Sequence, residues 1–203
     1  MCGLPASGKT TTAERIHASA GGVLIRSCDV YRSLGISLPD WVRRTEGFTR
    51  SLEAYERERD RAYVEMAHRL EQALASRAPL VIVDAVHGEW AKRQVVYRVC
   101  ETLEAMPILV WCQGASCETI QRRFELRRGQ EEQADPRNEA SDFSVFRHIA
   151  GLWEDPMADP VSVPTVVYDT WRDELRPLRG PSDHAEEILR SALAMAPGVS
   201  SSR

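Results

Sequence analysis

Two kinds of apolar pattern alternate along the chain. Short apolar runs fall at Val23–Ser27 (VLIRS), Pro79–Asp84 (PLVIVD), Pro107–Cys112 (PILVWC) and Pro164–Asp169 (PTVVYD). Runs of this length predict strands, and the most apolar of them predict strands buried on both faces. Between them, apolar positions recur at helical spacing. Leu52, Tyr55, Tyr63, Met66, Leu70 and Leu74 mark one long amphipathic helix over Phe48–Arg77, with Glu53/Arg57 and Glu65/Arg69 as i,i+4 pairs. Further helices are predicted over Thr10–Ala20, Glu89–Ala105, Ser116–Arg128, Phe143–Glu154 and Ser182–Met195. Pro164–Asp169 reads as the last strand, and residues 196–203 as a flexible tail.

Strands alternating with helices predict an α/β fold. The expected form is a three-layer α/β/α sandwich whose parallel sheet binds ligands at the carboxyl ends of its strands. A length of 203 residues suits one domain, over residues 1–195, with at most a small lid. No apolar run approaches the roughly 18 residues of a membrane helix, and Met1–Pro5 lacks the basic and apolar regions of a signal peptide. A cytoplasmic protein with no membrane partner is expected. A net charge of -4 disfavours a strongly basic nucleic-acid binder. The five cysteines form no CxxC pair and read as small core residues.

Of 26 basic residues, only Lys9 and Lys92 are lysines. Lys9 lies in Gly3-Leu4-Pro5-Ala6-Ser7-Gly8-Lys9-Thr10, which matches G-x-x-x-x-G-K-[ST], the phosphate-binding loop of P-loop nucleotide enzymes. Glycines let successive backbone N–H groups turn around a phosphate, and the following helix aims its positive end at the same point. An ammonium on a long stem reaches the β- and γ-phosphates where a planar guanidinium would clash. Gly3 to Thr10, with Thr11 beside them, are the candidate ATP-binding residues, and Thr10 offers its hydroxyl to Mg²⁺. Asp29 and Asp84 each close a predicted strand near this loop. Asp84 follows four apolar residues, the pattern of a carboxylate that holds Mg²⁺ directly or through water.

GLPASGKTT, LIRSCDVYR, VIVDAVHGEWAKRQ, IQRRFELRRG and NEASDFSVF together resemble the AAA_33-type P-loop kinases, a group similar to zeta toxins, chloramphenicol phosphotransferase, polynucleotide 5′-kinase and seryl-tRNA kinase. The resemblance covers about residues 2–155. It implies that Asp29 is the base for an acceptor hydroxyl, that Arg32 helps hold the acceptor, and that Arg123 and Arg127 are lid arginines over the transferring phosphate. Independently, Arg123 and Arg127 stand four apart and share one helix face, with Arg122 and Arg128 flanking them. The lid would run over about residues 122–142. Its polar part, Gly129–Ser141, carries Pro136 and several charges and cannot bury a face of its own.

The implied activity is ATP-dependent phosphoryl transfer to a hydroxyl. A small-molecule acceptor is favoured, with its pocket over Val30–Arg44 and Tyr55. The alternatives are a nucleic-acid-end or tRNA kinase and a non-catalytic ATP-binding regulator. The basic run from Arg43 to Arg61 is interleaved with acidic residues and reads as a solvated helix rather than a nucleic-acid surface. No N-K-x-D element supports a GTPase, and no L-S-G-G-Q an ABC-type ATPase. The sequence departs from the resemblance in two places. Ser27-Cys28 stands where two hydroxyl residues are usual, and the strand that should feed the loop is reduced to Met1 and Cys2. In the kinase arrangement that strand lies between those ending at Asp84 and Cys112. The expectation is an apolar segment upstream, with Met1 an internal residue.

Overall fold

The computed structural model describes residues 1–36, 48–114, 116–130, 143–180 and 183–194, without the side chains of 48–52, 117, 119, 126–130, 143–145 and 183–185. Much of the expected acceptor segment, the lid beyond residue 130 and the tail therefore lie outside the described residues.

The elements follow the alternation read from the sequence. They are α1 (Lys9–Ala20), β1 (Val23–Arg26), α2 (Ser27–Ser33), α3 (Phe48–Ala75), β2 (Val81–Asp84), α4 (Trp90–Thr102), β3 (Leu109–Gln113), α5 (Cys117–Gln130), α6 (Phe143–Gly151), β4 (Thr165–Asp169), β5 (Glu174–Arg179) and α7 (Asp183–Ala194). Gly21 and Gly22, both at positive φ, end α1 and turn the chain into β1. A Cβ on Gly22 would lie 2.4 Å from the Leu80 carbonyl oxygen, so a side chain is excluded where β1 meets the start of β2.

Two expectations are corrected. Pro164–Asp169 does not contain the last strand, because β5 returns antiparallel to β4 from Asp169↔Glu174 to Thr165↔Arg179. Its ELRPLR sequence carries Pro177, which an edge strand tolerates because one row of its backbone groups needs no ladder partner. The first strand also ends earlier than expected. Helix α2 starts at Ser27, so Asp29 lies in a helical first turn rather than at a strand end.

β1 and β2 pair in parallel from Val23↔Val81 to Arg26↔Asp84, and β3 and β4 in parallel from Leu109↔Thr165 to Gln113↔Asp169. These form separate sheets of two and three strands. Among the described residues, the start of the chain lies between them. Cys2 makes an isolated parallel bridge to Trp111, donating to Val110 O and accepting from Cys112 N, both at 2.8 Å, and the Met1 amine donates to Val83 O at 2.8 Å.

Successive strand residues face opposite helical layers. Ile82 packs with Ala13 and Ile16 of α1 and Leu189 and Leu193 of α7, whereas Val83 packs with Met66 and Leu70 of α3 and Cys100 of α4. The result is the three-layer arrangement that the sequence predicts. Cys2, Cys100 and Cys112 are buried core residues, and burial pushes the Cys112 thiol up to about 11. Lys92 of α4 is ion-paired to Asp60 and lies over the Tyr63 ring at 5.1 Å, tying α4 to α3. No described helix is long and apolar enough to cross a membrane.

Arg93 of α4 is enclosed, its side chain 0% exposed. It donates to both carboxylate oxygens of Asp159 at 2.7 and 2.6 Å and to His87 O at 2.9 Å. Removing one partner strands a buried charge, which costs about 3–5 kcal/mol. Asp159→Ala should therefore lower the unfolding free energy by about that amount, read as a shift of the urea midpoint at unchanged slope. A loss below about 1 kcal/mol would show the pair to be hydrated.

Candidate active site

The Gly3–Thr10 segment leaves the sheet and enters α1 through three residues at positive φ: Gly3 (147°), Ala6 (61°) and Gly8 (88°). A Cβ on Gly3 would lie 2.5 Å from Cys112 O and 2.7 Å from Ser7 Oγ, so the turn is closed to any larger residue. Gly8, in the left-handed region, precedes α1. The first N–H groups of that helix have no acceptor within it, and its positive dipole end lies at the loop.

Lys9 is buried, and its Nζ donates to Leu4 O at 2.8 Å, which folds the ammonium back over the loop. Thr10 and Thr11 are exposed, whereas Thr12 is buried with its hydroxyl on Gly8 O at 2.9 Å. Ser7 is 1% exposed, and its Oγ has no hydrogen-bond partner. Asp84, at the carboxyl end of β2, is 3% exposed.

Asp29 sits on the α2 first turn between two guanidiniums. Oδ2 accepts from Arg26 Nε at 2.6 Å, and Oδ1 accepts from Arg32 at 2.7 Å. Partial burial works to raise its pKa. The hydrogen bonds and charges of Arg26 and Arg32 outweigh that and hold the carboxyl below the usual carboxylate range. Arg32 thus reaches Asp29 itself, and Arg26 also binds Glu14 of α1 at 2.7 Å.

Arg123 of α5 donates to Ala6 O at 2.8 Å, which brings that helix onto the phosphate loop. Phe124 and Phe146 pack edge-to-face at 5.9 Å, in a cluster with Ala6 and Ile120. Arg122 is exposed, and the side chains of Arg127 and Arg128 lie outside the described residues.

Two features had no legible signal in the sequence. Thr170, just past β4, places its Oγ1 2.8 Å from Ser7 O and 3.2 Å from Gln113 O, pinning the loop to the strand ends. Nothing marks a threonine after a strand as such a contact. Arg59 belongs to the run read as a solvated helix face, yet its side chain is only 7% exposed and is ion-paired to Glu56, at 3.0 Å, and to Glu89. Glu56 in turn meets His148 Nε2 at 2.7 Å. Tyr31 and Tyr55, expected near the acceptor, are 2% and 3% exposed and line a small cavity with Arg59 and Tyr63. Trp41 lies outside the described residues.

These residues fit a bound phosphate: the N-terminal end of α1, a lysine on the loop and a buried Ser7 hydroxyl lacking a partner. For a hard cation the oxygen donors at hand are the Thr10 hydroxyl and the Asp84 carboxylate. Among the described residues no group of three or more His, Cys, Asp or Glu converges on one point, so a cation here would take few protein ligands, as Mg²⁺ does.

A glycine loop between parallel strands and a helix, with an arginine-bearing helix docked on it, defines a P-loop protein of the kinase type. The chain belongs to the AAA_33 family, whose AAA domain matches residues 1–143. No curated protein matches the sequence. Three similar solved structures support the fold. Kti12 of Chaetomium thermophilum, in complex with ADP-AlF3, is 20% identical with a TM-score of 0.54, over 97% of each chain. A sugar kinase of Janibacter sp. HTCC2649 is 14% identical with a TM-score of 0.54, over 97% of this chain and 93% of its own. A gluconokinase of Sinorhizobium meliloti 1021 is 20% identical with a TM-score of 0.50, over 95% and 87%.

Thr170→Val keeps the shape and removes the hydroxyl that pins the loop. It should cost about 1 kcal/mol in unfolding free energy and weaken ATP binding several-fold by calorimetry. Unaltered binding would separate Thr170 from the loop's preorganisation.

Proposed function

We propose that this protein is an ATP-dependent kinase that transfers the γ-phosphate of ATP to a hydroxyl of a small molecule. The observation that supports it most is Arg123 reaching the phosphate loop itself. A loop that only bound nucleotide would not need a guanidinium arriving from a separate helix beside the phosphate end. The sugar kinase and gluconokinase among the similar structures support a small-molecule acceptor.

In this reading the amides of Gly3 to Thr10 and the Lys9 ammonium hold the β- and γ-phosphates, the ammonium leaving Leu4 O for them. Thr10 and Asp84 would hold Mg²⁺, which supplies charge neutralisation at the phosphate oxygens. Asp29, ionised between Arg26 and Arg32, accepts the hydrogen of the acceptor hydroxyl and aims its oxygen at the γ-phosphate. Its lowered pKa makes it a weak base, so orientation is its larger contribution, with the proton transferring late. That fits a loose transition state, in which the nucleophile needs little activation. Arg32 shares Asp29 with the acceptor. Arg123, together with Arg127, stabilises the charge that develops on the transferring group.

Lys9→Ala should abolish turnover with the fold intact, and Lys9→Arg should be nearly as harmful because a fork replaces a point charge. Turnover within about threefold of the parent in Lys9→Arg, less than about 1 kcal/mol of barrier, would remove Lys9 from this role.

The two aspartates separate by binding. Asp29→Asn should stop transfer while leaving ATP affinity near normal, whereas Asp84→Asn should also weaken Mg²⁺-dependent ATP binding in calorimetric titration. Equal binding losses would reverse the assignment. Because Arg26 and Arg32 hold the Asp29 carboxyl below its ordinary pKa, kcat/KM should show no acid limb from this group above about pH 4. A limb near pH 6 that disappears in Asp29→Asn would contradict the pairing with Arg26 and Arg32.

A further inference from the structure

On the kinase reading the acceptor hydroxyl meets Asp29 of α2, and a small cavity lies against the same helix. Its volume is ≈ 10 Å³, and Ser27 and Tyr31 of α2, Tyr55, Arg59 and Tyr63 of α3 and Val86 line it. Ser27 follows Arg26, the register partner of Asp84, and Val86 O accepts from Gly3 N at 3.1 Å. The cavity therefore stands at the carboxyl ends of β1 and β2, next to the phosphate loop. It has room for one group the size of a water.

A buried guanidinium in such a place would be expected to receive an anionic group of the ligand. Here the protein fills that role itself. The Arg59 side chain is 7% exposed and is ion-paired to Glu56 at 3.0 Å and to Glu89, the residue before α4. Glu56 also meets His148 Nε2 at 2.7 Å. Two carboxylates thus face one guanidinium, and with His148 neutral the cluster is net negative. The arginines around Asp29 are engaged in the same way, Arg26 by Asp29 and Glu14, and Arg32 by Asp29. An incoming carboxylate would compete with the protein's own carboxylates for each of these forks and would be repelled by their charge.

We infer that the acceptor is an uncharged polyhydroxyl compound that sets one hydroxyl on Asp29 and a second in this cavity, and that Glu56 and Glu89, by occupying Arg59, discriminate against acids. A hydroxyl is the group that fits. It both donates and accepts, so it can answer tyrosine and serine hydroxyls and a guanidinium N–H, and it has the volume of a water, which a carboxylate or phosphate exceeds. The rings of Tyr31, Tyr55 and Tyr63 also wall the cavity with carbon, where an ion would lose its hydration. The inference rests on the kinase reading for the place of Asp29 and goes beyond it in giving the acceptor's charge and class.

The test pairs three alcohols with the acids of the same carbon chain: glycerol with glycerate, ribitol with ribonate, and glucitol with gluconate. Binding to the full chain is measured by calorimetry with a non-hydrolysable ATP analogue present, and ADP formation is followed separately with ATP. At least one alcohol should bind about tenfold or more tightly than its acid. Tyr55→Phe, which keeps the ring, should weaken that alcohol about fivefold. Glu89→Gln, which frees one side of the Arg59 fork, should narrow the alcohol-to-acid ratio by about fivefold. An acid preferred to its alcohol, or no alcohol bound, would overturn the inference, and ADP formation with the acid would leave the kinase reading standing. An alcohol that binds as expected without ADP formation would do the reverse. Unchanged alcohol binding in Tyr55→Phe would overturn the inference by showing that the cavity holds only a water, and an unmoved ratio in Glu89→Gln by showing that the Arg59 pairing does not set the choice.

Discussion

Three backbone hydrogen bonds suspend the phosphate loop. Cys2 pairs on both its N–H and its C=O with β3, and Gly3 N–H reaches Val86 O on the β2 side. Through these bonds the first residues span two strand pairs that do not otherwise form one sheet. Everything that converges on the loop uses this anchorage. The Gly3 turn stands against the Cys112 carbonyl, Thr170 reaches across from the end of β4, and α5 arrives through Arg123 on Ala6 O. Backbone pairing is the right instrument for such a task. It fixes position independently of side chain.

The charged groups around the site sort by burial rather than by abundance. Arg93 with Asp159, and Arg59 with Glu56 and Glu89, hold enclosed guanidiniums against carboxylates and act as internal struts. Arg26 and Arg32 hold Asp29 at a partly open position, where their pairing keeps the carboxylate ionised and fixes its direction. Arginine suits all of these because its fork satisfies two acceptors at once. The phosphate loop is the exception. It needs a compact charge able to change partner, and one of only two lysines in the chain stands there.

Much of the fold was legible because its determinants are local. Continuous apolar runs ending in Asp84 and Asp169, helical spacing over α3, and the Gly21-Gly22 stop each act within a few residues. β5 escaped because ELRPLR is polar and contains proline, and what makes it a strand is the exposed edge of β4. The early start of α2 was equally hidden, since VLIRS does not mark where its ladder with β2 ends.

The sequence alone determined the alternation of strands and helices, the phosphate loop and the identity of its lysine, because spacing and residue type suffice to build a glycine turn at the head of a helix. The tertiary structure decided that Arg93 is enclosed with Asp159, and that Thr170 and Arg123 close on the loop. Each of these depends on groups far apart in the chain, separated by 163 positions for Thr170 and Ser7 and by 117 for Arg123 and Ala6. Local pattern carries no information about such meetings, because they are set by how the layers pack.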